Sequence, residues 1–221
     1  MNYIDGLIIV FVGYSCFQGY RRGFIKTLFD TLGVIIAFFL SKEFYYLTED
    51  FLLNNTKLFI KVHDFFESKL SEKLMETFEQ SMNIPAELKN VLSNIINTGD
   101  VTQADTFAVF VDNISIILIR SISFVITFLV IYAILVLLSS LINAIFKLPL
   151  LNLTNRLFGA GTGLIKSVIV MYIIFALSSP LIGFLQDSSI AQAVLDSESS
   201  KIFYDNNIIL NYLSYKGFYK N

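Results

Sequence analysis

The chain has 221 residues, of which 55% are hydrophobic and 15% charged, against about 25% charged in an ordinary soluble domain. A net charge of −2 gives no global basic balance for nucleic acid. The single cysteine, Cys16, excludes an intramolecular disulfide, and the single histidine, His63, excludes a multi-histidine metal cluster. With 22 phenylalanines and a mean hydropathy of +0.66, the composition points to lipid as the solvent for most of the chain. The expected fold is all-α: a polytopic membrane protein with four transmembrane helices and an amphipathic helical segment between the second and third.

In chain order, the first apolar stretch covers residues 4–20. It opens with Asp5 instead of a basic residue and is followed by Arg21 and Arg22, so it reads as a retained span and not as a removed signal. The second covers residues 24–40. Three residues separate the two, which calls for a tight antiparallel helical hairpin in region 1–40; a re-entrant hairpin that does not cross fully is the alternative. Lys26 and Asp30 stand four apart at the start of span two, so the spacing predicts an ion pair that lowers the cost of both in lipid.

Region 41–113 is amphipathic. Leu58, Val62, Phe66, Leu70, Leu74, Phe78 and Met82 recur every four residues with charges between them, the pattern of a helix with one apolar face. The polar side is mixed and slightly acidic, which favours packing on protein over anchoring on anionic lipid. His63 falls on that side and is expected to be solvated. Pro85 opens a second helix that Gly99 ends, and a third starts near Thr102 and runs into the third span.

Region 114–184 holds the two strongest spans. Residues 122–146 carry no charge, and residues 167–184 have Lys166 at their front edge and Pro180 near their end. About 20 apolar residues suffice to cross the hydrocarbon. Lysine and arginine mark the cytoplasmic side. Arg21, Arg22 and Lys26 lie at the first turn, and Lys147, Arg156 and Lys166 at the turn between spans three and four. Segment 41–113 has six lysines against twelve acids. Both basic turns are therefore expected in the cytoplasm, with both termini extracytoplasmic. Arg120, at the outer end of span three, opposes this topology and is expected to snorkel to the headgroups. The tail, 185–221, has a short helical pattern around Ile190 to Leu195 and aromatic clusters suited to a membrane interface.

Two stretches read alike: Gly19-Tyr-Arg-Arg-Gly23-Phe-Ile-Lys26-Thr27 and Gly159-Ala-Gly161-Thr-Gly163-Leu-Ile-Lys166-Ser167. One reading is a parallel internal repeat; the other is that glycines and a snorkelling lysine are common at span ends. In either case Gly19, Gly23, Gly159 and Gly163, with Gly33 and Gly161, are candidate helix-packing positions, where a missing Cβ lets backbones approach closely.

Asn2-Tyr-Ile-Asp5, Gly19-Tyr-Arg-Arg-Gly23-Phe24 and the run from Leu153 through Asn155-Arg156 to Lys166 resemble, in order and spacing, the colicin V production protein (CvpA) family. The middle third matches only in length and character. The resemblance implies a four-span protein of the bacterial cytoplasmic (inner) membrane, linked to production of a secreted peptide toxin. It supplies no active site.

No Walker-type, nucleophile-elbow or zincin motif occurs. Asp5 and Asp30, the only span carboxylates, fall on opposite sides of the bilayer and cannot form a dyad. No cofactor is expected and the chain is not read as an enzyme. The leading expectation is a non-enzymatic membrane component that supports toxin export or envelope homeostasis. Its partners would be the lipid bilayer and a membrane protein or further copies of itself. A small oligomeric channel or transporter built around Asp30 and Lys26 is the alternative.

Overall fold

The computed structural model describes residues 2–70, 103–146, 153–185, 188–205 and 207–219. The predicted second amphipathic helix after Pro85, and Lys147, lie outside them. Among the described residues the regular elements are all helices: α1 (Tyr3–Arg22), α2 (Phe24–Asn55), α3 (Leu58–Leu70), α4 (Gln103–Phe146), α5 (Leu153–Phe184), α6 (Ser189–Asp196), α7 (Glu198–Tyr204) and α8 (Ile208–Tyr215).

Local chemistry explains several of the helix ends. Asn2 caps α1: its Oδ1 accepts from the Ile4 and Asp5 amides at 2.9 and 3.2 Å, while its own amide donates to Asp5 Oδ2 at 2.6 Å. This is a reciprocal capping box. Gly23 ends α1 and starts α2 at φ 79°, a conformation that favours glycine, so a single residue makes the turn. Ser188, Ser197 and Asn207 cap the three tail helices with their side chains.

The hairpin does not close on itself. α5 lies along α1 and along α2, α2 in turn lies along α4, and α1 and α2 touch little beyond their turn. Small residues at the α1–α5 contact explain this, because two smooth backbones approach each other more closely than the bulky faces of α1 and α2 can. α3 packs on α4, with Phe66 fully buried.

Among the described residues three helices are long and apolar enough to cross a membrane, not four: Phe24–Asn55, Val111–Leu138 and Leu153–Gly183. α1 has the length, with 20 residues, but Gly6, Gly13, Gly19, Ser15, Gln18 and three tyrosines dilute its apolarity. The other three exceed the expected 24–40, 122–146 and 167–184 because loss of apolarity is not loss of helix. Lys42, Glu43, Glu49 and Asp50 simply continue α2, and Leu153 to Lys166 form the first turns of α5, not a loop.

The tail also departs from expectation. Phe203, Tyr204, Phe218 and Tyr219 are buried within the protein and not spread on an interface. Tyr204 meets Phe175 edge-on at 4.8 Å, and the Tyr219 hydroxyl donates to the Ala176 carbonyl at 2.7 Å. Burial pushes the phenols of Tyr204 and Tyr219 well above the usual tyrosine range.

Candidate functional site

The glycines converge at the end of the molecule that holds the hairpin turn. A Cβ built on Gly19 would collide with the Gly159 carbonyl oxygen and come within 2.9 Å of its carbon. One on Gly159 would collide with the Gly19 oxygen and reach 2.7 Å from the Gly23 carbonyl carbon. One on Gly163 would strike the Ser15 carbonyl oxygen and lie 3.1 Å from its carbon. Gly33 only touches Tyr132, at 3.8 Å, and Gly161 faces open space. Asn155 Oδ1 accepts from the Phe24 amide at 2.9 Å, tying the first turn of α5 to the start of α2.

The two similar stretches therefore lie against one another, and they differ in local form. Gly23 is a turn at positive φ, whereas Gly163 is inside a continuous helix.

Four basic side chains gather at this end. Arg21 lies over the Phe17 ring at 5.8 Å and Arg156 over the Tyr20 ring at 5.9 Å. Asp30 is buried, and its partner is Arg22, at 2.6 Å, not Lys26. The inward stripe of α2 runs through Thr27, Asp30 and Val34, which leaves Lys26 on the exposed side. Arg22, at the last turn of α1, hangs over the Gly23 turn and reaches Asp30 from above. The pair is neutralised and hydrogen-bonded, which limits the cost of an ionised carboxylate away from water.

Lys166 is at mid-helix, not at a span edge. It donates to the Tyr132 hydroxyl at 2.7 Å, and its ammonium stands 5.3 Å from that ring's centre. This ties α5 to α4 one turn below the apolar groove described next.

Arg120, expected at the headgroups, has partners within the protein. Its Nε donates to Glu49 Oε1 at 3.0 Å and its NH1 to the Phe218 carbonyl at 2.8 Å, with both charged side chains 12% exposed. Glu49 stands 25 residues beyond Phe24, about 38 Å along α2. That exceeds the roughly 30 Å of a hydrocarbon core, so the pair falls past the hydrocarbon, near headgroup depth, if the basic turn marks the inner boundary.

At the same far end, Asp5 is buried under the tail. Its Oδ1 accepts from the Ser197 hydroxyl at 2.6 Å and the Ser199 amide at 3.0 Å, and Asn2 Nδ2 donates to the Ala193 carbonyl at 2.5 Å. Asp5 and Asp30 are thus at opposite ends of α1. His63 is half-covered and not free on a polar face. Its Nε2 lies 3.3 Å from Asp112 of α4, and its Nδ1 lies 3.9 Å from both Asp64 and Glu67. The three α3 groups approach within 4.8 Å of one another, but both α3 carboxylates are largely exposed to water. The arrangement acts as a clasp between α3 and α4.

α4 and α5 touch only sparsely, and a groove of about 520 Å³ opens between them. Its walls include Ile122, Val125, Phe128 and Leu129 of α4 and Val170 and Ile174 of α5, with Ser121 and Ser178 toward the far end.

No nucleophile, base and oxyanion donors come together among the described residues. What recurs is a bundle with one basic end, one end closed by the tail, and apolar flanks. The family model described as colicin V production protein matches residues 4–82 and 87–204, which is most of the chain. The chain belongs to the colicin V production protein family. Searches of curated proteins and of solved structures found no match.

As a CvpA-family membrane protein, the chain carries several of its interior polar contacts on residues that sequence reading did not single out: Glu49, Tyr132 and Ser197. Only Glu49 left a trace, since it continues the helical spacing of the buried α2 positions Val34, Phe38 and Ser41.

Proposed function

We propose that this family member crosses the bacterial cytoplasmic membrane four times, with α1 as the fourth and shortest span, and works as a non-enzymatic component in production or export of a secreted peptide toxin. The observation that carries the membrane placement is the belt of large apolar side chains left exposed on all four long helices. It includes Leu7, Val10 and Phe17 of α1, Leu28, Leu32 and Ile36 of α2, Leu129 and Leu137 of α4, and Leu157 and Ile165 of α5. Patches of this extent mark surfaces that water does not cover. α1 spans about 30 Å and lies along α5, which supports counting it as a crossing.

The basic end, with Arg21, Arg22, Lys26 and Arg156, fits the cytoplasmic side. The acidic 41–113 region and both termini then lie outside, where the tail caps the bundle. Contact with a partner protein or a second copy is the mode of action this surface supports. Asp30, the residue on which a channel would rest, is committed to Arg22.

Carbonate-washed vesicles and cysteine accessibility test the reading. In a Cys16→Ala background, Ser68→Cys should react with an impermeant reagent from outside and Leu153→Cys only after permeabilisation. The same sidedness for both, or release of the chain by carbonate, overturns it.

A further inference from the structure

The basic end of the bundle carries charge that the chain itself does not cancel. Residues 6–42 hold one acid, Asp30, and residues 113–186 hold none. Asp30 is taken by Arg22. Among the described residues the side chains of Arg21 and Arg156 have no hydrogen bond and no ion pair, only their contacts with the Phe17 and Tyr20 rings, and both are exposed. A guanidinium over a ring is held by its flat face, which leaves the N–H donors at its edge free. Phe17 and Tyr20 are three residues apart on α1 and therefore neighbours on its surface. The Gly19–Gly159 contact brings the start of α5 to this place, so Arg156 stands beside Arg21. The result is two adjacent sets of donors, suited to the oxygens of a phosphate.

The surface beneath them says that the phosphate belongs to a lipid. Val10, Tyr14, Phe17 and Arg21 follow one another along α1 at spacings of four, three and four, so they share one face. Val10, Tyr14 and Phe17 are 70%, 58% and 57% exposed. From Arg21 to Val10 is 11 residues, about 16 Å along the helix. That is close to half of a roughly 30 Å hydrocarbon core, the depth of one leaflet.

We propose that the α1–α5 corner at the basic end binds an anionic phospholipid of the cytoplasmic leaflet. Its phosphodiester accepts from Arg21 and Arg156, and one of its acyl chains lies along Phe17, Tyr14 and Val10. A zwitterionic lipid brings its own cation and cancels neither arginine, so a net-negative headgroup is preferred. This inference rests on the membrane placement proposed above.

The native chain has no tryptophan, so Tyr14→Trp places a single reporter in the full chain, about 10 Å below Arg21. The chain is reconstituted in phosphatidylcholine vesicles with a minor fraction of a lipid brominated midway along its chains, either phosphatidylglycerol or phosphatidylcholine. Quenching by each gives the relative affinity of the two lipids at that face. It should favour phosphatidylglycerol about 25-fold, at roughly fivefold for each arginine. Arg21→Gln and Arg156→Gln should each lower the preference about fivefold, and the double variant should abolish it. Leu32→Trp on α2 is the control, 44% exposed and at a similar depth; there the two lipids should quench alike. Equal quenching by both lipids at Tyr14→Trp overturns the proposal, as does an equal preference at Leu32→Trp, which would make the attraction a diffuse one. Glycerol phosphate on both faces of the vesicle, at matched ionic strength, should leave the preference unchanged; its loss would make a soluble phosphate the ligand. Absence of quenching by either lipid at Leu32→Trp would refute the membrane placement itself, and so is told apart from failure of the lipid site.

Discussion

Replacing Gly159 by alanine adds one methyl group at the tightest place in the fold. That carbon would stand 2.7 Å from the Gly23 carbonyl carbon and closer still to the Gly19 oxygen, where carbon atoms prefer roughly 3.5–4.0 Å. Both neighbours are backbone and cannot rotate away. α1 and α5 must therefore part by about 1 Å, which loosens the packing on either side of the contact. Overpacking of this kind costs about 1–3 kcal/mol. With backbone on both sides we take the upper end, and the helix propensity of alanine returns about 1 kcal/mol. The expected net loss is about 2 kcal/mol. Gly161→Ala is the internal control: the same residue type, two positions away in the same helix, with nothing within 4 Å of the added carbon. It should be neutral or stabilising by up to about 1 kcal/mol. Reversible denaturation in mixed micelles, followed by helix ellipticity, measures both. If Gly161→Ala loses as much as Gly159→Ala, or if neither loses anything, the close approach of α1 and α5 is not the contact that holds them.

Arg120→Met should destabilise by about 3 kcal/mol, because it leaves Glu49 buried without its charge partner; adding Glu49→Gln should recover most of the loss, and a double-mutant cycle in micelles checks it. Arg22→Met should cost more than Lys26→Met, which is expected within about 0.5 kcal/mol of the native chain; equal costs would return Asp30 to Lys26. Because the folded chain holds the Tyr204 and Tyr219 phenols above the value near 10 of the unfolded chain, their contribution is complete below about pH 10 and falls as pH rises beyond it. An alkaline titration of stability should therefore decline above about pH 10, and less steeply in Tyr219→Phe, which itself loses about 1 kcal/mol with the hydrogen bond to Ala176.

What could be read from the residue order is what depends on neighbours along the chain. Apolar runs, the absence of catalytic spacings, the charge bias of the turns and the glycine pairs are local patterns, and helical periodicity turns them directly into helices and faces. The apolar pattern also misplaced the helix ends. Hydropathy reports where lipid is tolerated, whereas a helix continues through Lys42, Glu49 or Arg156 as long as no residue breaks its hydrogen bonds.

The partners were decided only in three dimensions. Lys26 and Arg22 are both within reach of Asp30 by sequence, and the direction in which α2 turns its inward face chose Arg22. Nothing near Arg120 in the sequence names its partners: the tail, some hundred positions later, brings the Phe218 carbonyl to it and α2 brings Glu49. The two glycine stretches look like copies in sequence, yet they pack against each other. A long-range contact depends on how helices rotate and cross when they bury their small and polar faces together. That is a property of the whole bundle, and no local window of the sequence contains it.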